Sequence, residues 1–282
     1  MSGDCPFGRV AILGMGLMGG SLARALSDLD DGPEVVGWCS DDEEREAALA
    51  VSAVIAAPAT RAEAVSCADF VVMAAPLRVS CGWMAPVAHE APPTATISDV
   101  VSLKLSLFEA ARAAGLAERW VGSHPMAGGE ASGFAASSAD LFHDARVWTV
   151  AHEGARDRVD GVHRLWEAVG ARPVQVDANE HDQLMALVSH LPQLTSNVLV
   201  DVLVASGIEP DQLGPGGRAM TRLGASSPTM WRDLLEHARP ELARGLRALA
   251  KSSERVAELI EAGDMDALAS MMSRTTEWRR DR

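Results

Sequence analysis

His124 sits in a run of small residues, Gly122-Ser123-His124-Pro125-Met126-Ala127-Gly128, and an imidazole placed there is able to take a proton near neutral pH. The apolar approach, Arg119-Trp120-Val121-Gly122, reads as the end of a buried strand. Pro125 has a fixed φ and no backbone donor, and it biases His124 away from the α region. Ala127, Gly128 and Gly129 leave room for something bulky against the backbone. Alone, a His-Pro pair fits an ordinary turn. Here it shares a chain with Gly14-Met15-Gly16-Leu17-Met18-Gly19, a G-x-G-x-x-G loop between a strand-like run and a helical one. Gly14 permits a tight turn, Gly16 lets the backbone approach a pyrophosphate, and Gly19 allows close helix–sheet packing. The amides that open the helix then hold phosphate. A candidate base and a candidate hydride acceptor therefore occur together.

The rest of a dinucleotide site is uneven. Small residues, Ala74-Ala75-Pro76, follow the strand Asp69–Ala74, where a nicotinamide dinucleotide crosses the sheet edge. An acid that holds the adenosine ribose is expected near the end of the second strand. Cys39-Ser40 stands there instead, and acids begin at Asp41. Ser40 is able to hydrogen-bond a 2′-phosphate, but four following acids repel one, with Arg45 the nearby cation. NAD versus NADP stays open, with the acids on the side of NAD.

Three further segments supply polar groups. In Asp99-Val100-Val101-Ser102-Leu103-Lys104, Ser102 and Lys104 fall at the carboxyl edge of the sheet, where ligands bind. Lys104 is either a phosphate contact or an exposed lysine at a helix start. Ser189-His190-Leu191-Pro192-Gln193 interrupts a later helix and adds a second histidine. Thr221-Arg222-Leu223 precedes Ser226-Ser227-Pro228-Thr229-Met230-Trp231-Arg232-Asp233, and the guanidinium fork of Arg222 suits a carboxylate. A surface ion pair is the plainer reading of Arg222. The histidines show no metal-ligand spacing, and Cys5, Cys39, Cys67 and Cys81 show no C-x-x-C, so no metal is expected and the thiols read as reduced.

To position these groups the chain alternates strands and helices. Arg9–Leu13, Glu34–Trp38, Asp69–Ala74, Thr94–Ser98, Ala145–Val150 and Arg172–Val176 read as strands, which predicts a Rossmann-type, mostly parallel, doubly wound α/β sheet. From Asn179 onward the spacing is helical: Leu184, Leu187, Val188, Leu191, Leu194, Val198 and Leu199 form one stripe. The expected domains are residues 1–177, binding dinucleotide, and 178–282, all-α, completing its core by dimerising.

The chain has 282 residues, 48% hydrophobic and 23% charged, which is ordinary for a globular protein. A net charge of −14 argues against nucleic acid or an anionic membrane as partner. No signal peptide and no bilayer-length apolar stretch are read in the sequence, so a cytoplasmic protein is expected.

Taken in order, G-x-G-x-x-G, G-S-H-P-M-A-G followed by Glu130, S-H-L-P, T-R and M-W-R-D make the chain resemble the prephenate and arogenate dehydrogenases, over nearly its whole length. The resemblance implies a Rossmann-type domain, a helical dimerisation domain, NAD or NADP as cofactor, and a dicarboxylate substrate oxidised with loss of carbon dioxide. On that reading His124 is the base, and Ser102 orients it or the substrate hydroxyl. His190 hydrogen-bonds the substrate or braces the packing. Arg222 binds a substrate carboxylate, Glu130 gates the entrance and Trp231 walls the cleft. Gln193 stands where many relatives carry histidine, and Ala219 where they often carry aspartate, which leaves the choice among prephenate, arogenate and an amino-substituted prephenate open. Two other readings compete. A β-hydroxyacid dehydrogenase shares the opening glycines but needs a mid-chain catalytic lysine, and no lysine lies between Lys104 and Lys251. A non-catalytic dinucleotide-binding regulator has no need of His124, Ser102, His190 and Arg222 together.

Overall fold

The computed structural model describes residues 5–280 apart from Glu130, Ser227 and Ala238. Seven strands are present among the described residues: β1 (Arg9–Leu13), β2 (Glu34–Trp38), β3 (Phe70–Met73), β4 (Thr96–Asp99), β5 (Val121–Pro125), β6 (Arg146–Ala151) and β7 (Arg172–Gln175). The first four form a parallel sheet in the order β2-β1-β3-β4. The last three follow as β5-β6-β7, with β5 antiparallel to β6 and β6 parallel to β7. A parallel bridge between Ile97 of β4 and Trp120 links β4 to the residue just before β5.

Strands covered on both faces need apolar residues at every position rather than alternation. β1 and β3 meet that need, since Val10–Leu13 and Phe70–Met73 are all buried. Val10 and Ile12 pack with Leu22 and Leu26 of the helix Leu17–Ser27. Ala11 and Leu13 pack on the other face with Leu77 and Met84 of the helix Leu77–Glu90 and Leu107 of the helix Leu105–Ala113. This is the doubly wound α/β arrangement that the alternating pattern predicts.

His124 differs from expectation in one respect. It lies within β5, opposite Trp148 of β6, rather than in a loop after the strand. Pro125 is tolerated because it is the last residue of β5, and the ladder continues past it through Met126 N–H to Arg146 O at 2.8 Å.

The chain divides into two compact units, and the division falls inside a helical run. The first unit runs to Met185 and also takes in Ser226–His237. The helix Ala178–Met185 belongs to it because Ala178 joins the sheet core and His181 is hydrogen-bonded to His124. Leu234 packs on the same core, and Glu236 pairs with Arg78 at 2.8 Å. A helical stripe in the sequence does not show where a helix changes its packing partners.

The second unit is helical, with Leu191–Ala205, Pro215–Thr221, Arg239–Glu261 and Met265–Arg280. Gly245 permits close packing of two of these helices, since a Cβ there would lie 3.2 Å from Leu191 Cδ2. The S-H-L-P segment widens the helix rather than interrupting it: Ala186–His190 form a π-helical turn ahead of Leu191. Pro192 has no N–H for the carbonyl one turn back and its ring crowds that carbonyl, so the wider turn relieves both demands. The run Ala178–Ala205 is thereby continuous, and with a mean hydropathy of 1.2 in its most apolar window it is long and apolar enough to cross a membrane by length and composition. This differs from the expectation that no apolar stretch of bilayer length is present. Val198, Val202 and Val204 are exposed on this helix.

Candidate active site

The glycine loop has the geometry that a pyrophosphate requires. Gly14 has φ +106°, and a Cβ on it would fall 2.3 Å from Ala74 O. Gly19 is equally constrained, with Gly14 O 1.9 Å from its would-be Cβ. Gly16 is different: nothing lies within 4 Å of a Cβ built there, so the space above it faces outward. Gly16 is also the N-cap of the helix Leu17–Ser27, which has no side-chain cap and no acid in its first turn. The amides of Leu17, Met18 and Gly19 thus open the helix uncapped, with the helix dipole behind them. These residues fit a dinucleotide phosphate.

Ala75 is half-buried and Pro76 is the N-cap of the helix Leu77–Glu90. At the ribose end Cys39 is buried, its thiol donates to Asp41 O at 3.2 Å, and burial pushes the thiol pKa up. Ser40 is exposed. Arg45 turns back into the protein, donating to Cys39 O at 2.5 Å and pairing with Asp42.

The histidine segment lies beside this loop. A Cβ on Gly129 would touch Leu17 Cδ2 at 3.6 Å, and the residues after Gly133 fold along the same helix. Phe134 lies over Gly20 and under the Arg24 guanidinium, and Ser138 N–H donates to Ser21 Oγ at 3.0 Å.

His124 is buried, and its Nδ1 lies 2.9 Å from Nε2 of His181, which is fully buried. His181 Nδ1 in turn lies 2.7 Å from Asp182 Oδ1. Asp182 also accepts the backbone N–H groups of Lys104, at 2.8 Å, and of Leu105, at 3.0 Å. It thereby caps, from another element, a helix whose own N-cap residue provides no side-chain bond. Burial pushes the Asp182 carboxyl up, but its bonds from His181, Lys104 and Leu105 outweigh burial and hold it below the usual carboxylate value. Burial is the largest influence on His181 and pushes its pKa down, despite Asp182.

Lys104 is neither a phosphate contact nor an exposed lysine. It is fully buried, paired with the equally buried Asp99, and it donates to Ser123 O at 2.7 Å. Asp99 also accepts from Val101 N–H at 3.0 Å and from Trp120 Nε1 at 3.2 Å. Burial pushes Asp99 up and Lys104 down, and each opposes the shift of the other. The reason for the misreading is that lysine is rarely buried without a partner, and the partner here sits five residues earlier on a strand end.

Ser102 is half-buried at the same sheet edge and makes no side-chain hydrogen bond among the described residues. The group placed against His124 Nδ1 is His181, not Ser102. His181 and Asp182 are the residues that sequence reasoning missed.

The remaining candidates fall in both units. Trp231 is half-buried on the helix Pro228–His237 of the first. His190, Gln193 and Arg222 belong to the second. His190 is buried in the π-helical turn. Gln193 is buried too, and its amide donates to Asn197 Oδ1 at 3.0 Å and to Leu223 O at 2.6 Å. It therefore braces the turn Arg222–Ala225, which Ser196 Oγ also holds through Gly224 N–H. Arg222 is exposed at the start of that turn, and Ala219 lies on the helix just before it. Glu130 lies outside the described residues.

Comparison with known proteins agrees with this geometry. The family model for the nucleotide-binding domain of prephenate dehydrogenase matches residues 22–175, and that for the dimerization domain matches residues 177–274. The chain is 28% identical to the prephenate dehydrogenase of Bacillus subtilis (strain 168) across 96% of its length and 75% of that protein. It is 30% identical to the cyclohexadienyl dehydrogenase of Zymomonas mobilis, covering 93% of this chain and 92% of that one. The crystal structure of prephenate dehydrogenase from Aquifex aeolicus, in complex with hydroxyphenyl propionate and NAD+, superimposes with a TM-score of 0.88 at 26% identity, covering 97% of each chain. A Rossmann-type unit with a buried histidine beside its glycine loop defines an NAD(P)-dependent dehydrogenase. The chain belongs to the prephenate dehydrogenase family.

Proposed function

We propose that this enzyme oxidises prephenate to 4-hydroxyphenylpyruvate and carbon dioxide, with NAD+ as the preferred acceptor, in tyrosine biosynthesis. The observation that carries the reading is His124: a buried imidazole at the carboxyl end of a strand, on a segment that touches the helix of the nucleotide loop. Bound NAD+ supplies the hydride acceptor. His124 takes the proton of the ring hydroxyl as the hydride leaves the same carbon. The ring carboxylate then departs as carbon dioxide, and the electrons of the broken carbon–carbon bond make the ring aromatic. The proton held by His124 returns to the oxygen as the phenol forms. Ser102, whose side chain makes no hydrogen bond among the described residues, hydrogen-bonds the substrate hydroxyl.

Arg222 binds a substrate carboxylate, and Gln193 acts with it by holding its turn. His190, Glu130 and Trp231 complete the substrate site. Gly14, Gly16, Leu17, Met18 and Gly19 hold the pyrophosphate, with Cys39 and Ser40 at the ribose and Ala75 and Pro76 beside the nicotinamide. Preference for NAD+ is supported by Arg45, whose guanidinium is committed to Cys39 O and Asp42 and so does not serve a 2′-phosphate. Residues 178–282 form the dimerisation and substrate domain of a homodimer. The exposed valines of the helix Leu191–Ala205 support that assembly, and four free thiols suit the cytoplasm.

The test is nicotinamide reduction by purified enzyme in a grid of prephenate or arogenate against NAD+ or NADP+. Turnover highest with prephenate and NAD+, and abolished in His124→Asn, is the expected result. Turnover with arogenate alone moves the substrate assignment. Silence in all four combinations by folded, nucleotide-binding protein removes it.

A further inference from the structure

Three groups in series set the proton positions around His124. Asp182 is an acceptor throughout: its two oxygens already take the N–H groups of Lys104 and Leu105, and a carboxylate has no proton to give. The hydrogen of the 2.7 Å bond between Asp182 Oδ1 and His181 Nδ1 therefore belongs to His181. A neutral imidazole carries one N–H, so Nε2 of His181 is left as an acceptor. The 2.9 Å bond from His181 Nε2 to His124 Nδ1 then requires the hydrogen to be on His124. In a neutral His124 that leaves Nε2 without one.

We infer that His181 and Asp182 are positioning residues that fix the tautomer of His124, keeping its proton on Nδ1 and its Nε2 ready to accept one. The inference rests on the reading of His124 as the base. It matters because a free neutral histidine favours the opposite tautomer, with the hydrogen on Nε2, and such a ring has no lone pair on that nitrogen. The same chain of bonds steadies the imidazolium that forms when His124 takes a proton, since its Nδ1–H already points at an acceptor backed by a carboxylate. Nothing in this arrangement moves a proton beyond His124; His181 keeps its own hydrogen throughout.

The backbone is held as firmly as the ring. Lys104 Nζ donates to the carbonyl of Ser123, the residue before His124, while the N–H of Lys104 is bound by Asp182. Asp182 thereby ties both the ring and the segment behind it to one helix, Ala178–Met185.

The experiment pairs His181→Gln with His181→Leu. The Gln amide reaches the place of Nε2 and offers an oxygen acceptor to His124; leucine offers none. Each variant is read by thermal melting, by KM for NAD+ and kcat with prephenate, and by ¹⁵N NMR of histidine-labelled protein, which reports which ring nitrogen of His124 carries hydrogen. Wild-type protein is expected to show a hydrogen-bearing Nδ1 and a bare Nε2. His181→Leu is expected to melt as a folded protein, to bind NAD+ with KM changed less than about threefold, and to lose at least about tenfold in kcat. His181→Gln is expected to recover most of that loss and the wild-type tautomer. A wild-type His124 with its hydrogen on Nε2 overturns the inference, as does a leucine variant whose kcat stays within about threefold of wild type. The NMR signature is independent of turnover, so it stands or falls separately from the assignment of the substrate.

Discussion

Lys104 Nζ lies 2.7 Å from the carbonyl oxygen of Ser123, so a buried lysine holds the peptide that leads into His124. Its counter-ion, Asp99, is equally buried and is held by Val101 N–H and Trp120 Nε1 as well. Removing one member of such a pair leaves an uncompensated charge in the interior, which costs about 3–5 kcal/mol. Lys104→Met is therefore expected to lower the urea midpoint strongly. The double variant Lys104→Met, Asp99→Asn is expected to recover much of that loss. Equal loss in the single and double variants would show that the charge of Asp99 is not what destabilises the single one.

The glycines of the nucleotide loop should separate folding from binding. Gly16→Ala places a methyl in open space and is expected to leave the melting temperature near wild type, while NAD+ titration shows at least about tenfold weaker binding. Gly19→Ala drives its Cβ into Gly14 O and is expected to cost stability as well. The comparison of melting and titration for the two variants checks both statements.

Arg222→Lys keeps the charge but loses the planar fork of donors. A hydrogen bond to a charged group contributes about 1.5–3 kcal/mol, so kcat/KM for prephenate is expected to fall by about ten- to a hundredfold. NAD+ binding should be unchanged, as measured by fluorescence titration. A fall confined to nucleotide affinity would place Arg222 elsewhere.

Stability should fall on mild acidification. Burial is the largest influence on His152, His163 and His181 and pushes all three below the ordinary histidine value. Between those depressed values and about 6.5 the unfolded chain binds more protons than the folded one, so stability rises with pH through that interval. The contribution is complete above about pH 6.5 and is lost as pH falls through the folded pKa values. Urea midpoints measured from about pH 5 to 7.5 should show this slope. His163→Gln, which is able to keep the bond to Thr149 Oγ1, should flatten it in part.

The strands were legible because a strand covered on both faces is a short continuous apolar run; β1 and β2 have the bounds read from sequence. The glycine loop was legible for a related reason, since its spacing reflects backbone geometry rather than distant contacts. The pair His181-Asp182 was not legible, because a polar start to an amphipathic helix reads as a solvated first turn. One signal was available: His181 stands four residues before Met185, on the face that is buried. Lys104 was misread for the complementary reason, as its burial depends on Asp99, which local patterning does not pair with it.

The bond between His124 and His181 joins positions 57 residues apart, and Asp182 reaches back 78 residues to Lys104. A nascent chain that has emerged only as far as Val176 already contains all seven strands and the whole glycine loop. It lacks His181 and Asp182, the residues whose hydrogen bonds hold the ring of His124. Contacts this far apart in sequence carry a high closure cost and belong to the late events of folding. Nucleotide binding is therefore expected to appear before turnover during refolding, and the gain of activity to report docking of the helix Ala178–Met185 rather than completion of the sheet.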